Sequence, residues 1–182
     1  QGNTFHIKHM LNHYYVPIIV SEQDKVDYIK HIITVKSEKI FLEQVENFVK
    51  NKSQLLDSFD WWMVCKIDEH LDEVHIPYHN PETNSVNRFK PDFIFWLKKG
   101  KQYFIIFVDP KGTKHTDYQF KVDGYSRIFE ENGEKKLFHQ DGISIKCYLY
   151  LHTDDTHKLA KNYKKYWFDE FADMIKEFLN SI

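Results

Sequence analysis

A layered α/β fold, a central mixed sheet flanked by helices, is predicted by three patterns in this 182-residue chain. The first is a pair of apolar runs joined by a short turn within PDFIFWLKKGKQYFIIFVDPKG, residues 91–112. The second is a set of apolar stripes at helical spacing before and after that hairpin. The third is one more strand, Ile143 to Leu151, set between the last two stripes. The succession reads helix, three or four strands, helix, strand, helix, which calls for a sheet covered by helices.

In chain order, Tyr14 to Val20 and Tyr28 to Val35 are apolar enough for strands, and Pro17 marks the first as an edge strand. These N-terminal strands, within residues 5–35, are additions to the core. Ser37 to Val49 reads as a helix with Ser37 as N-cap. Its stripe is Phe41, Leu42, Val45, Phe48 and Val49. Glu38 shares the face of residues 41, 42 and 45 and so points toward the sheet; an acid that opens a helix is equally at home solvated beside the positive end of the dipole. Trp61 to Ile67 is strand-like, so at least one of Trp61 and Trp62 faces the core. A charged turn, Asp68 to His70, leads to a short strand, Val74 to Tyr78, and a polar loop, His79 to Asn87. After the hairpin, residues 115–130 are helical, with Tyr118, Lys121, Val122 and Tyr125 on one face. Residues 161–180 form a last amphipathic helix carrying Trp167, Phe171, Ile175 and Phe178.

The hairpin carries the chemistry. Gly100-Lys101 fits a two-residue turn with Gly first, which pairs Lys99 with Gln102, Leu97 with Phe104, Phe95 with Ile106 and Asp92 with Asp109. One face then holds Asp92, Ile94, Trp96, Ile105, Phe107 and Asp109, with Lys111 beyond; the other holds Phe93, Phe95, Leu97, Phe104, Ile106 and Val108. Both faces are apolar, so the hairpin belongs in the middle of the sheet. Like charges directly opposite destabilise a sheet. A divalent cation removes that penalty, because Mg²⁺ is usually held by one or two carboxylates plus phosphate oxygens. Such an ion activates water and stabilises a leaving oxygen, and Lys111 would face the attacked phosphate. The plain alternative is a pair of solvated acids at strand ends. Asp-x-Lys is weak evidence alone, and a second acid-x-Lys, Glu134 and Lys136, lies in a polar loop and reads as surface.

Composition narrows the classes. Hydrophobic residues are 42%, charged residues 29% and the net charge is −2, which suits one soluble domain with a real core and not a domain that grips nucleic acid by charge alone. No apolar run is long enough to span a membrane. The start at Gln1-Gly2-Asn3 suggests a domain cut from a longer polypeptide. Cys65 and Cys147 lie in apolar strands and read as buried thiols of a reducing cytoplasm. Eleven His invite a zinc site, yet no Cys cluster accompanies them. No phosphate-cradling Gly-rich loop is present, so an ATPase motor would have to lie elsewhere. Lys121, Gln119, Lys114 and His115 follow the hairpin and are candidates for DNA backbone contact, as is Lys90 in the preceding polar segment; each is also an ordinary surface residue, and Lys121 an ordinary snorkelling one.

SEKIF, IPYHNP and the run from Lys90 to Tyr125 together resemble the PD-(D/E)xK nuclease superfamily, over roughly residues 37–151. The narrower likeness is to the C-terminal endonuclease domain of type III restriction subunits and related DEAD/DEAH-box helicase-nuclease proteins. The resemblance implies a restriction-endonuclease-like αβββαβ core. It implies that Asp92 and Asp109 are metal ligands for Mg²⁺ or Mn²⁺, that Lys111 is the motif lysine, and that Glu38 supports the metal or its water. It further implies double-stranded DNA as substrate, an ATP-dependent restriction enzyme of phage defence, a helicase module in the same chain and a modification methyltransferase as partner. A different class remains beside it: a catalytically silent DNA-binding or docking module that keeps the fold.

Overall fold

The computed structural model describes residues 5–8, 18–21, 32–67, 74–110, 117–152 and 159–182. Near the N-terminus, β1 (Phe5–Lys8), β2 (Ile18–Ser21) and β3 (Ile32–Ile33) form a three-stranded sheet. The two expected N-terminal strands are seen in part as β2 and β3, but β2 is not the edge strand that Pro17 suggested. It lies between β1 and β3, and its paired residues begin only at Ile18, so the ring of Pro17 removes no donor from that ladder. Tyr14, Pro17 and Tyr28 themselves lie outside the described residues. Then follow α1 (Lys36–Asn51), β4 (Trp61–Lys66), β5 (Ile76–Asn80), β6 (Ser85–Phe89), β7 (Phe93–Lys99), β8 (Gln102–Asp109) and α2 (Tyr118–Phe129). The chain continues through β9 (Glu130–Glu131), β10 (Glu134–Lys135), β11 (Phe138–Gln140), β12 (Ile143–His152), β13 (Trp167–Phe168) and α3 (Phe171–Asn180).

The central sheet has the order β11-β12-β8-β7-β4, with β13 also paired to β12. β4, β7 and β8 run as an antiparallel meander, while β12 is parallel to β8. The sheet is therefore mixed and flanked by helices, as expected. A parallel neighbour needs a long crossover, and α2 supplies it.

The hairpin register is the expected one: Phe93 pairs with Val108, Phe95 with Ile106, Leu97 with Phe104 and Lys99 with Gln102. Gly100 has φ +58°, as the first position of a type II′ turn demands. Alternation divides the core accordingly. Phe93, Phe95, Leu97, Phe104, Ile106 and Val108 pack with residues of α1 and α3 on one face. Ile94 and Phe107 pack with Val122 and Tyr125 of α2 on the other. Phe41 anchors the first layer, its ring 5.0 Å from that of Phe93 and 5.7 Å from that of Phe171. Of the tryptophan pair, Trp62 is buried and Trp61 exposed.

Three expectations are corrected. The polar segment 79–87 is not a loop: it is most of a β-hairpin, with Tyr78 paired to Asn87 and His79 to Val86. Only one face of that hairpin is buried, through Ile76, Tyr78 and Phe89, so its composition is polar although its period is that of a strand. Residues 161–180 are not one helix. Lys161–Tyr166 is a 3₁₀ turn, and Trp167 and Phe168 enter β13, burying their rings on opposite faces of the sheet as successive strand residues do. Ser37 does not cap α1; Val35 holds the N-cap position and Ser37 lies in the first turn. The charged turn at Asp68 to His70 lies outside the described residues.

Gly124 sets the seating of the β5–β6 hairpin on α2. A Cβ there would lie 2.6 Å from Tyr78 Cβ and 2.7 Å from the Pro77 carbonyl oxygen, so only glycine allows this approach. Glycine weakens a helix interior; here close packing offsets that cost.

Candidate functional site

Three carboxylates are buried near one end of the central sheet: Glu38 is 7% exposed, Asp92 4% and Asp109 2%. Each arrives by a local rule. Glu38 stands in the first turn of α1, on the stripe that carries Phe41 and Leu42 into the core. Asp92 immediately precedes β7, and Asp109 ends β8. The pairing of β7 with β8 closes at Phe93 and Val108, so these two acids are the next residues outward on adjacent strands. Asp109 also pairs with Leu151 of β12.

The group that joins two of these acids is one that sequence reasoning missed. Lys66, the last residue of β4, lies with its Nζ 3.3 Å from Glu38 Oε1 and 3.3 Å from Asp92 Oδ1. Its ammonium also lies 5.3 Å from the centre of the Phe93 ring, within cation–π range. The signal was in the sequence: Trp62, Val64 and Lys66 alternate onto one face of β4, so once Trp62 and Val64 are core, Lys66 must point the same way. Burying two carboxylates is costly without compensation. One ammonium serves both Glu38 and Asp92, and Asp92 Oδ2 is buried with no hydrogen-bond partner among the described residues. Among the described residues, no three His, Cys, Asp or Glu side chains form a group able to hold a metal ion. The acids thus do not make a ready cage. What they offer is a two-carboxylate platform with an open oxygen, the donor set suited to an ion that completes its shell with water or phosphate oxygens.

His152, the last residue of β12, is a further buried polar group that went unnoticed. It follows Leu151, the residue paired with Asp109, and its Nε2 is 2.8 Å from the Asp169 carbonyl oxygen. Its ring packs against Phe168 at 5.2 Å.

The remaining expected residues divide. Lys111, Lys114 and His115 lie outside the described residues. Lys90 is half-buried one residue before Pro91. On α2, Gln119 donates from Nε2 to the Tyr118 hydroxyl at 3.3 Å. Lys121 pairs with Asp117 at 3.1 Å and lies over the Phe89 ring at 5.4 Å. Its stem therefore ties α2 to β6. Cys65, half-buried, and Cys147, buried, are not joined in a disulfide, and burial pushes the Cys147 thiol up to about 12.

The fold and this site define an α/β protein with an acidic, lysine-bridged centre at one end of a mixed sheet. The chain belongs to the YagJ family, whose family model matches residues 29–147. That span takes in α1, the meander, α2 and the start of β12, and so all three carboxylates and Lys66. No curated protein and no solved structure matches the chain.

Proposed function

We propose that the chain is a metal-dependent endonuclease domain that hydrolyses phosphodiester bonds of double-stranded DNA. The supporting observation is the buried Oδ2 of Asp92, without a hydrogen-bond partner among the described residues, on one of two acids at the same end of neighbouring strands. A buried carboxylate oxygen left in that condition costs free energy that a bound cation would offset. The succession α1, β4, β7, β8, α2, β12 is the one expected of a restriction-endonuclease-like core and supports that finer reading of the fold. Mg²⁺ or Mn²⁺ bound there would activate water and stabilise the leaving oxygen. Asp92 and Asp109 hold the ion, Glu38 assists from α1, and Lys111 meets the attacked phosphate. Lys90, Lys114, Gln119 and Lys121 are the proposed backbone contacts. In this reading the chain is the nuclease part of an ATP-dependent, type III-like restriction enzyme, with a helicase module in the same polypeptide and a methyltransferase partner. Two cysteines not joined in a disulfide agree with a cytoplasmic setting, and among the described residues no helix is long and apolar enough to cross a membrane.

The experiment is nicking of supercoiled plasmid with Mg²⁺ or Mn²⁺. Asp109→Ala should lower the rate by about a hundredfold or more, the scale on which loss of transition-state electrostatics is felt. Equal cleavage by wild type and variant sinks this assignment. The second reading, a silent DNA-binding or docking module, is favoured by one observation: Lys66 already balances part of the acidic charge without metal. It predicts retained DNA binding in a mobility shift with no nicking under either ion.

A further inference from the structure

Lys66 places a cation where a metal-dependent site wants its metal. The Lys66 side chain is 17% exposed, and those of Glu38 and Asp92 are 9% and 5% exposed. All three charges therefore interact through protein more than through water, where Coulomb forces are least screened. Taken by themselves, two carboxylates and one ammonium carry a net charge of −1. A divalent ion would over-fill it, and the ammonium and the ion would repel each other across the same oxygens. Lysine is suited to leaving: it is a compact charge on a flexible stem that can withdraw to water, whereas arginine grips carboxylates with a rigid two-pronged fork.

We propose that Lys66 is the resident counter-cation of the Glu38–Asp92 centre, and that a divalent ion binds by displacing its ammonium from Asp92 Oδ1 and Glu38 Oε1. Lys66 keeps the acids folded before the ion arrives, and by competing for the same oxygens it sets how tightly the ion is held. This inference rests on the reading of Asp92 and Asp109 as metal ligands.

The test is Mn²⁺ titration by calorimetry, with free Mn²⁺ followed by electron paramagnetic resonance, on wild type, Lys66→Met, Lys66→Gln and Lys66→Arg. Removing the competing charge should tighten Mn²⁺ binding by on the order of tenfold or more in Lys66→Met, since tenfold corresponds to only a small part of the Coulomb repulsion between close charges. Mn²⁺ should then also raise the melting temperature more in that variant than in wild type. Lys66→Arg should weaken binding. Lys66→Gln is neutral yet polar and carries the same expectation as the methionine variant should that one fail to fold. Unchanged or weaker binding in the neutral variants overturns the proposal. The reading beneath it fails separately: if wild type binds Mn²⁺ as well after Asp92→Asn and Asp109→Asn, these acids are not the ligands. If neither wild type nor any Lys66 variant binds Mn²⁺, both are overturned.

Discussion

Glu130 and Asp92 are both buried carboxylates facing lysine, and the protein treats them in opposite ways. Glu130 sits where α2 gives way to β9 and is saturated with donors. Lys135 donates to its Oε1, while Ser126, Lys165 and Tyr166 donate to Oε2 at 3.0, 3.1 and 2.7 Å. Burial pushes its pKa up, but the Lys135, Tyr166 and Lys165 contacts outweigh that and hold it below the ordinary 4.5. Asp92 has Lys66 on one oxygen and, among the described residues, no hydrogen-bond partner on the other. A structural ion network closes all its valences because each open one costs stability. A site that must accept something from outside keeps one open. On the function proposed above, the contrast is between a centre that holds the fold and one available to a ligand.

Substitution should widen that contrast. Glu130→Ala strips the partner from a half-buried Lys135 and should cost about 3 kcal/mol in urea unfolding, the low end of the range for breaking a buried pair from one side. It should leave Mn²⁺ binding unchanged in the folded fraction. Asp92→Asn keeps an oxygen for Lys66 while removing one of the two carboxylate charges that face its ammonium. It should cost less than about 1 kcal/mol, near the net worth of one hydrogen bond, and yet lose Mn²⁺ binding. A cost for Asp92→Asn as large as that for Glu130→Ala would break the comparison. The finest probe is pH. The folded pKa of Glu130 lies below its unfolded value, so its stabilisation is complete above about 4.5 and is lost as pH falls through the lower folded value. The stability gap between wild type and Glu130→Ala should therefore be constant above that pH and narrow below it.

The two centres also differ in how far they can be read from sequence. Asp92 and Asp109 were legible because a hairpin obeys local arithmetic: the turn at Gly100 fixes every pair along β7 and β8. Glu38 was legible as a position on a stripe, though its burial was not. Lys66 was missed because its strand was read only for its tryptophans. Glu130 was missed altogether, since its donors come from α2, β10 and the 3₁₀ turn at Lys161–Tyr166, and no local pattern announces that meeting. The hairpin 76–89 was misread because one wet face dilutes the apolar signal, and β13 because two adjacent aromatic residues also fit a helical stripe.

The amino-acid sequence by itself determined the period-bound features of this protein: the face of each residue in β7 and β8, the buried stripe of α1, and the helices that cover the sheet. These depend on turn geometry and on spacings of two and 3.6 residues, which act within a few positions of chain. Tertiary structure alone decided that the ammonium of β4 would lie between an acid of α1 and one preceding β7. That placement brings together residues 38, 66 and 92, and only the layering of a helix on a sheet makes them neighbours.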